Sequence, residues 1–431
     1  MVMVETVIEG SARRYPAPEP TRNPPIRNYR RNAVDTATIG ASDATWMAER
    51  RAEASGALEA LAMPSTRDEI WRYLDLDFDP ALGSARVEPG TPGPVDSVVA
   101  SWTGRTVTVV DGFVTDADIP TVASSQEPIG LTRGDDLFTT AYTALSPGAV
   151  LLGGDLLASP ILVDVQATGS DTTFPGVHVE VPAGSDAAVT VRYRSTTDAE
   201  STVVPTLTAH VGANARLSLT IIQDWNYRTR ALGRGIVELA RDASAVISEI
   251  GLGAHLGRLH LDVDFEGDGS HAKVYGAYFG EEDQTLDYRY FMNHIGRNTR
   301  CDMFLKGAVE DQALSVFTGL IRIEESGQKT ESFQTNRNLI LSPGASAQSV
   351  PNLEILANDV KCGHGSSVGP LDDEQRYYLT SRGLTTERAD RLQVHGFFEE
   401  VIAVLPDTGI AEWVRSRIND KYVTAQEEGR V

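Results

Sequence analysis

The sequence is 431 residues long, with 41% hydrophobic and 23% charged residues, which is ordinary for a soluble globular protein with a large core. Its formal net charge of −22 at pH 7 opposes binding to the phosphate backbone of nucleic acids or to an acidic membrane surface. No run of about 18 apolar residues is present, so the sequence predicts no transmembrane helix.

The chain begins with MVMVETVIEGSARRYPAPEP, in which Glu5 and Glu9 interrupt the apolar stretch that a secretory signal requires. The two cysteines, Cys301 and Cys362, are too few for a disulfide framework. Both observations favour a cytoplasmic location. Residues 1–42 are rich in proline and arginine, and we interpret them as a solvated lead-in rather than a nucleic-acid-binding arm.

Two helices are predicted before the main body of the chain. The first spans residues 46–63, where alanine and glutamate are frequent and a proline follows. The second is predicted to begin at Thr66, because Thr66 and Glu69 have the spacing of a capping box. Trp71 in this segment is predicted to lie in the core. Residues 1–90 are therefore predicted to form a lead-in and a helical region.

Residues 91–368 contain short runs rich in valine, isoleucine, leucine and threonine, separated by turns, which predicts strands with little helix between them. Six of these strands follow a turn that ends in alanine: Ala187, Ala215, Ala245, Ala272, Ala313 and Ala347. The first three intervals are nearly equal, at about 30 residues each, and a steady period in this range is typical of a solenoid. A β-sandwich would not explain the period. We therefore predict a parallel β-helix with the alanines in register along one edge.

Residues 369–431 are predicted to form a C-terminal helical domain. A first helix ends at Gly383, a second is capped by Thr385 or Thr386, and a third follows a proline. The second helix carries an apolar stripe composed of Val394, Phe397, Phe398, Val401, Ile402 and Leu405. Such a stripe either belongs to the core or docks a partner, and the pattern alone leaves both open.

The segment DVKCGHGSSVG, residues 359–369, combines Lys361, Cys362 and His364. Residues two apart in an extended segment point the same way, so Cys362 and His364 could face one neighbour. A thiolate and an imidazole suit iron, zinc or copper, but two ligands are too few for a structural zinc site. Lys361 is expected to lower the pKa of the thiol. A metal site, a nucleophile and a merely hydrogen-bonded turn stay open at this point.

Nucleotide-binding motifs are missing from the sequence. The stretch SGQKT, which holds Lys329 and Thr330, lacks the glycine spacing of a P-loop. The stretch GLGAHLG lacks the βαβ context of a dinucleotide fingerprint. The chain is therefore not expected to bind ATP itself.

The stretch NLEILANDVKCGHGSSVGPLDDEQRYYLTSRGL resembles the C-terminal signature of the SufB/SufD family of iron–sulfur cluster assembly proteins. The resemblance extends through GQKTESFQTNRNLILS, DYRYFMNHIGRNTRCDMFLKGAV, GFFEEVI and PSTRDEIWRYLDL, and covers most of residues 60–405. Within the family, the VKCGHG form and the lack of an N-terminal cysteine cluster are similar to the SufD branch.

The resemblance implies a right-handed parallel β-helix between helical ends and a non-catalytic scaffold role. It implies a complex with a SufB-like protein and with a SufC-like ATPase, which would be the subunit that binds ATP. The edge of the β-helix would pair with the SufB-like partner, where His364 would face a partner cysteine with Cys362 and Lys361 beside it. His364 and Cys362 would be ligands of a transient iron–sulfur cluster or iron shared with that partner.

The resemblance also implies that the C-terminal helices dock the SufC-like ATPase. The residues expected to do so are Val394, Phe398, Val401 and Leu405.

Two other functions stay open on the sequence alone. A SufB-type scaffold that holds a cluster by itself is disfavoured by the two cysteines, since cysteine-ligated clusters take about four. A β-helix carbohydrate-active enzyme would show clustered carboxylates on one face, which the sequence lacks. A homodimer of the isolated chain, a bound flavin, and Cys362 as ligand or as assistant also stay open.

Overall fold

The computed structural model describes residues 45–74, 76, 88–117, 136–169 and 171–427. Within those residues the protein is mainly β, a parallel β-solenoid of about eight turns with helices toward both ends. The fold class predicted from the sequence is confirmed. The predicted lead-in, residues 1–42, lies outside the described residues.

The described strands and helices follow one another in a simple order, with the helices outside the main run of strands. The strands are β1 (Arg105–Val110), β2 (Phe113–Ala117), β3 (Val150–Gly153), β4 (Ile161–Ala167), β5 (Thr172–Thr173), β6 (Gly176–Val181), β7 (Asp186–Ser195), β8 (Ser201–Val203), β9 (Thr206–Val211), β10 (Arg216–Asp224), β11 (Thr229–Leu239), β12 (Ser244–Gly251), β13 (Leu256–Phe265), β14 (His271–Gly280), β15 (Thr285–His294), β16 (Arg300–Val309), β17 (Leu314–Ile323), β18 (Glu331–Ile340), β19 (Ser346–Ile355) and β20 (Lys361–Gly369). The helices are α1 (Thr45–Leu58), α2 (Ser97–Ser101), α3 (Leu137–Leu145), α4 (Asp373–Ser381), α5 (Thr386–Ile402) and α6 (Thr408–Glu427), with 3₁₀ turns at Glu69–Trp71 and Gly154–Ala158.

Two long sheets form the walls of the solenoid. The first sheet has the strand order β2-β1-β4-β7-β10-β12-β14-β16-β18-β20. The second sheet has the order β19-β17-β15-β13-β11-β9-β6-β3. Pairing along both sheets is parallel except between β1 and β2. Because the chain alternates between the two sheets, each turn of the solenoid adds one strand to each wall.

The repeat length follows from the register of the first sheet. Ser244 pairs with His271 and Arg300 pairs with Glu331, so each turn uses about 30 residues of chain, a length typical of solenoid repeats. Side chains that alternate inward from the two sheets form one continuous apolar core. Each turn therefore buries its apolar face against the next turn, as the period in the sequence predicts.

The alanines share one register only in part. Ala187 and Ala245 both pair with Leu217, and Ala245 pairs with Ala272, so these three alanines lie on one inward row of the first sheet. Ala215 precedes β10 and therefore lies in the turn. The remaining two alanines of the predicted set, Ala313 and Ala347, belong to the second wall. The prediction of one edge for all six was wrong, because both sheets have similar turns.

The N-terminal region covers the outer face of the second sheet, where α1, α3 and Trp71 pack against residues such as Leu232. The first predicted helix ends earlier than expected, at Leu58, and the second is only a 3₁₀ turn. The Asp68 carboxylate accepts hydrogen bonds from the Ser65 backbone N–H at 2.9 Å and hydroxyl at 3.3 Å, which closes a turn in place of the predicted capping box. Trp71 is buried, as predicted.

The C-terminal helices cover the outer face of the first sheet. As predicted, Gly383 follows α4 with a φ of +94°, and Thr385 caps α5 by accepting from the Arg388 N–H at 3.4 Å. Ion pairs join these helices to the solenoid, including Lys306 to Glu400 at 2.8 Å. None of the helices in the described part of the chain is long and apolar enough to cross a membrane.

Candidate functional site

Strand β20 carries the residues that the sequence singles out, and it is the terminal strand of the first sheet. One of its edges pairs with β18, and within the described residues no strand pairs with its other edge. An unpaired edge presents backbone donors and acceptors to another chain. The site therefore lies at a place where a partner strand can be added.

Because successive side chains of a strand point to opposite faces, the three predicted site residues lie on two faces of β20. Cys362 pairs with Ser332 and His364 pairs with Gln334, and both of these partners are buried. Cys362 and His364 thus point toward the interior of the solenoid, as their spacing predicts. Lys361 points outward, where its side chain is 73% exposed and its Nζ lies 2.7 Å from Glu331 Oε1.

The environment of Cys362 is that of a core residue. Burial raises the pKa of its thiol to about 11, although the Gly363 backbone N–H lowers it. The expected lowering of this pKa by Lys361 is wrong, because neighbouring residues of a strand point to opposite faces and the ammonium pairs with Glu331. In the free chain Cys362 is therefore a protonated thiol at neutral pH.

His364 is half-buried beside this thiol. Its Nδ1 atom is buried and has no hydrogen-bond partner. The imidazole therefore has an unused hydrogen-bonding atom on a strand whose outer edge is unpaired. No contact within the described residues assigns His364 a purely structural role.

Two inward rows of the first sheet end at these residues. The cysteine row runs Ala272, Cys301, Ser332 and Cys362. The histidine row runs Val274, Met303, Gln334 and His364. Toward the terminal strand, Ser332 enters the cysteine row and Gln334 and His364 end the histidine row, so polar side chains occur inside the otherwise apolar core of the last turns.

The inward polar side chains of these turns include residues that the sequence reasoning missed. Ser332 Oγ is hydrogen-bonded to His294 Nε2 at 3.0 Å, and His294 Nδ1 to Thr299 Oγ1 at 2.8 Å. Burial lowers the pKa of His294 to about 3, so this imidazole is neutral. Alternate polar residues in ESFQTNRN, such as Ser332 and Gln334, were the available signal, because an apolar core would have placed apolar residues there.

The site supplies too few ligands to hold a metal alone. Across the described ranges, no group of three or more histidine, cysteine, aspartate or glutamate residues is placed to bind an ion. Cys362 and His364 offer one sulfur and one nitrogen ligand, which is the donor set for iron or zinc but only half of a coordination sphere. Further ligands would have to come from another chain.

The apolar stripe that was predicted to dock the ATPase lies on α5 and the turn after it, and its side chains are buried. Phe398 packs against Phe279, with 6.3 Å between the ring centroids, and Val394, Val401 and Leu405 belong to the same buried cluster. The cluster includes outward residues of the first sheet, such as Ile250. The prediction that these side chains face an ATPase was wrong, because they are buried where the helices pack against the solenoid.

Other side chains of the same helices are exposed. Tyr377 is 77% exposed and Tyr378 57% exposed on α4, and Leu392 is 52% exposed on α5. Large apolar and aromatic side chains that water contacts to this extent are candidates for partner binding. They were not singled out by the sequence, because the strongest periodic signal belonged to the buried face.

Comparison with known proteins identifies a family model that matches residues 164–397, described as the SufBD core domain of SUF-system FeS cluster assembly. The matched region includes the inward rows, β20 and most of α5.

Individual relatives bear similar names. An iron–sulfur cluster assembly SufBD family protein of Mycobacterium leprae is 31% identical over 383 residues, which cover 85% of this chain and 92% of the relative. Iron–sulfur cluster assembly protein SufD of Escherichia coli is 30% identical over 244 residues, 57% of this chain and 58% of the relative. SufD of Bacillus subtilis is 35% identical over 155 residues, 36% of each chain.

Proposed function

This chain belongs to the SufB/SufD family of SUF-system iron–sulfur cluster assembly proteins, and from that premise we propose that it is a SufD-like scaffold subunit. In this proposal it assembles clusters at an interface with a SufB-like partner, and a separate SufC-like ATPase drives the process. The cluster is the cargo of the complex. The chain itself performs no catalytic step.

The observation that supports this role most strongly is the position of Cys362 and His364. Both point inward from β20, the terminal strand of its sheet. A strand of the SufB-like partner can add to the free edge by backbone hydrogen bonds. Cysteines of that partner would then complete the coordination of iron that Cys362 and His364 begin.

Each site residue has its own part in this proposal. His364 is the imidazole ligand or proton carrier at the interface, since a histidine can serve in either way near neutral pH. Cys362 becomes a ligand once iron displaces the thiol proton, because a coordinating thiol is deprotonated. Lys361 lies on the outer face with Glu331, where it contacts the partner rather than the cluster.

The ATPase would dock on the exposed face of the C-terminal helices. Tyr377, Tyr378 and Leu392 are the exposed large apolar and aromatic side chains of α4 and α5. The buried stripe around Phe398 transmits any movement of these helices to the first sheet, since it packs directly on that sheet. ATP binding is assigned to the SufC-like subunit, because the present sequence has no P-loop.

The test is co-expression of this chain with a SufB-like and a SufC-like protein, followed by purification through a tag on this chain alone. The proposal expects all three proteins to elute together and to gain iron and sulfide during reconstitution. The visible spectrum of the same sample reports any bound flavin. If this chain elutes without the other two, the scaffold proposal fails. The chain expressed alone has the same free edge, and light scattering measures whether two copies pair there as a homodimer.

A further inference from the structure

Helix α4 is attached to the molecule differently from the two helices that follow it. The apolar cluster between the C-terminal helices and the first sheet includes Val394 of α5 and Val414 of α6, and Leu371, two residues before α4, packs against it. Helix α4, which the structure describes completely, contributes no residue to this cluster and has no buried side chain. Because most of the stability of a helix in a protein comes from its packed apolar face, α4 is the least firmly held of the three helices.

Polar contacts join α4 to α5. Arg376 Nε donates to Asp390 Oδ1 at 2.6 Å, and the Asp372 backbone N–H donates to Gln393 Oε1 at 3.1 Å. Water reaches the ion pair, since the Arg376 side chain is 33% exposed and the Asp390 side chain 15% exposed. An ion pair in contact with water stabilises a fold only weakly. Separation of α4 from α5 would therefore break a weak attachment and would uncover no buried side chain of α4.

The two ends of α4 define it as a unit. The Asp372 carboxylate accepts from the backbone N–H groups of Glu374 and Gln375 at 2.8 and 3.0 Å, and Gly383, with a φ of +94°, follows the last turn. Residues 370–372 connect the helix to β20, the strand that carries the site. A helix of 9 residues is only marginally stable in water when nothing packs against it. Its amides should therefore exchange with solvent whenever it leaves α5.

We infer that residues 370–383 form a strap that opens from α5 as a unit, while α5 and α6 stay packed on the first sheet. The Arg376–Asp390 ion pair holds the strap closed. The strap carries the exposed Tyr377 and Tyr378, so an ATPase that docks there holds an element that continues directly into β20. This use of the strap rests on the proposed function, whereas its opening depends on no partner.

Hydrogen exchange of the isolated chain, followed by mass spectrometry of its peptides, measures the opening. Amides of α4 should exchange about 100-fold or more faster than those of α5, because α5 can open only by breaking the apolar cluster. Asp390→Asn, which keeps the shape of the side chain and removes its charge, should raise the exchange rate in α4 about threefold. Arg376→Met, which removes the other half of the ion pair, should have the same effect.

The matched control is Glu399→Gln, elsewhere on α5. It removes a comparable ion pair, in which Arg415 Nη2 of α6 lies 2.6 Å from Glu399 Oε1. Exchange in α4 should be unchanged in this variant, because the strap does not contact that pair. Exchange in wild-type α4 that is as slow as in α5 overturns the strap. Rates in α4 that match the wild type in both Asp390→Asn and Arg376→Met overturn the role of the ion pair.

A last measurement separates the strap from the proposed function. Addition of the purified SufC-like ATPase at saturating concentration should slow exchange in α4 about tenfold, because a ligand that binds only the closed form stabilises it. An ATPase that binds without slowing exchange in α4 would contradict the docking site of the proposed function. The opening of the strap would stand in that case, since it is measured in the chain alone.

Discussion

Cys301 and Cys362 lie on the same inward row of the first sheet, with Ser332 between them. Two strand spacings of about 4.8 Å separate their backbones by roughly 9.6 Å, beyond the ~7 Å that a disulfide allows. Both residues are free cysteines. The row therefore brings two thiols close together without joining them, and any oxidation of Cys362 has to involve another molecule.

Both thiols should react slowly in the free chain. Burial raises the pKa of Cys362 to about 11 and that of Cys301 still further, so the nucleophilic thiolate is scarce at neutral pH. We expect iodoacetamide to label each much more slowly than a free cysteine, as followed by mass spectrometry. Lys361→Ala should leave the Cys362 rate within about twofold, since Lys361 faces away. A tenfold fall in that variant would show that the ammonium does activate the thiol.

Phe398→Asp should destabilise the protein severely. The side chain is fully buried between α5 and the first sheet. Removal of a buried phenylalanine costs about 3–5 kcal/mol, and an unpaired buried carboxylate adds to that cost. Urea unfolding measures the loss of unfolding free energy. A variant as stable as the wild type would mean that the stripe is not core, and would restore the docking role predicted from the sequence.

Tyr378→Asp is the matched change on the exposed face of the same helices. Because Tyr378 is 57% exposed, its replacement should alter stability by no more than about 0.5 kcal/mol. It should weaken binding of the SufC-like ATPase at least tenfold if docking uses this face, as measured by calorimetry with the purified ATPase. Unchanged affinity in both Tyr378→Asp and Tyr377→Asp would show that the ATPase does not dock on α4.

Glu249 should make the folded state less stable as pH rises. Burial raises the pKa of Glu249 from 4.5 to about 8, although hydrogen bonds from Gln223 and Tyr290 lower it. The folded chain therefore keeps a proton that the unfolded chain loses. The contribution of Glu249 to the free energy of unfolding is largest below pH 4.5 and is lost as pH rises toward 8. Between pH 7 and pH 8 the loss is about 1 kcal/mol of unfolding free energy.

The control for this effect is Glu249→Gln, which keeps the shape of the side chain and cannot ionise. Burial lowers the pKa of His178 to about 4 and that of His294 to about 3, so these histidines shape the acidic side of the curve and not this interval. Urea unfolding at pH 7 and pH 8 should show a fall that is larger by about 1 kcal/mol in the wild type than in Glu249→Gln, because His210, whose pKa Glu238 raises, contributes equally to both proteins. A fall of equal size in the two proteins would assign it to groups other than Glu249.

The solenoid could be predicted because its period is repeated in the sequence. The feature that recurs most regularly before the strands, however, is a residue with a positive φ and not the alanine. The residue two positions before each of the six first-sheet strands from β7 to β18 has a positive φ: Gly184, Asn214, Asp242, Gly269, Asn298 and Lys329. Glycine, asparagine and aspartate adopt this conformation readily, and lysine does not. The sequence therefore shows most of these corners, whereas Lys329 is recognisable only from the structure.

The site could be predicted only in part. Side chains alternate between the two faces of any extended backbone. The two-residue spacing was therefore enough to predict that Cys362 and His364 lie on one face. The environment of each group was not predictable from local sequence: Lys361 is next to Cys362 along the chain, but its side chain lies on the opposite face of β20. Gln334 is a full solenoid turn away from His364 along the chain and becomes its neighbour only through the register of β18 and β20. The stripe around Phe398 has the same periodicity whether it meets a sheet or a partner.

The central claim is that His364 takes part in cluster assembly through its ring nitrogens and not through a structural hydrogen bond. The variant His364→Asn keeps a hydrogen-bonding amide on β20 but provides no imidazole for iron or for proton transfer.

The most direct measurement is the iron and sulfide content of the complex of this chain with its SufB-like and SufC-like partners, purified with His364→Asn in place of the wild type. We predict that the three proteins still assemble and that the cluster content falls to background, with Cys362→Ser equal to it if the thiol is a ligand and milder if it only assists. A wild-type cluster content in the His364→Asn complex would contradict the account.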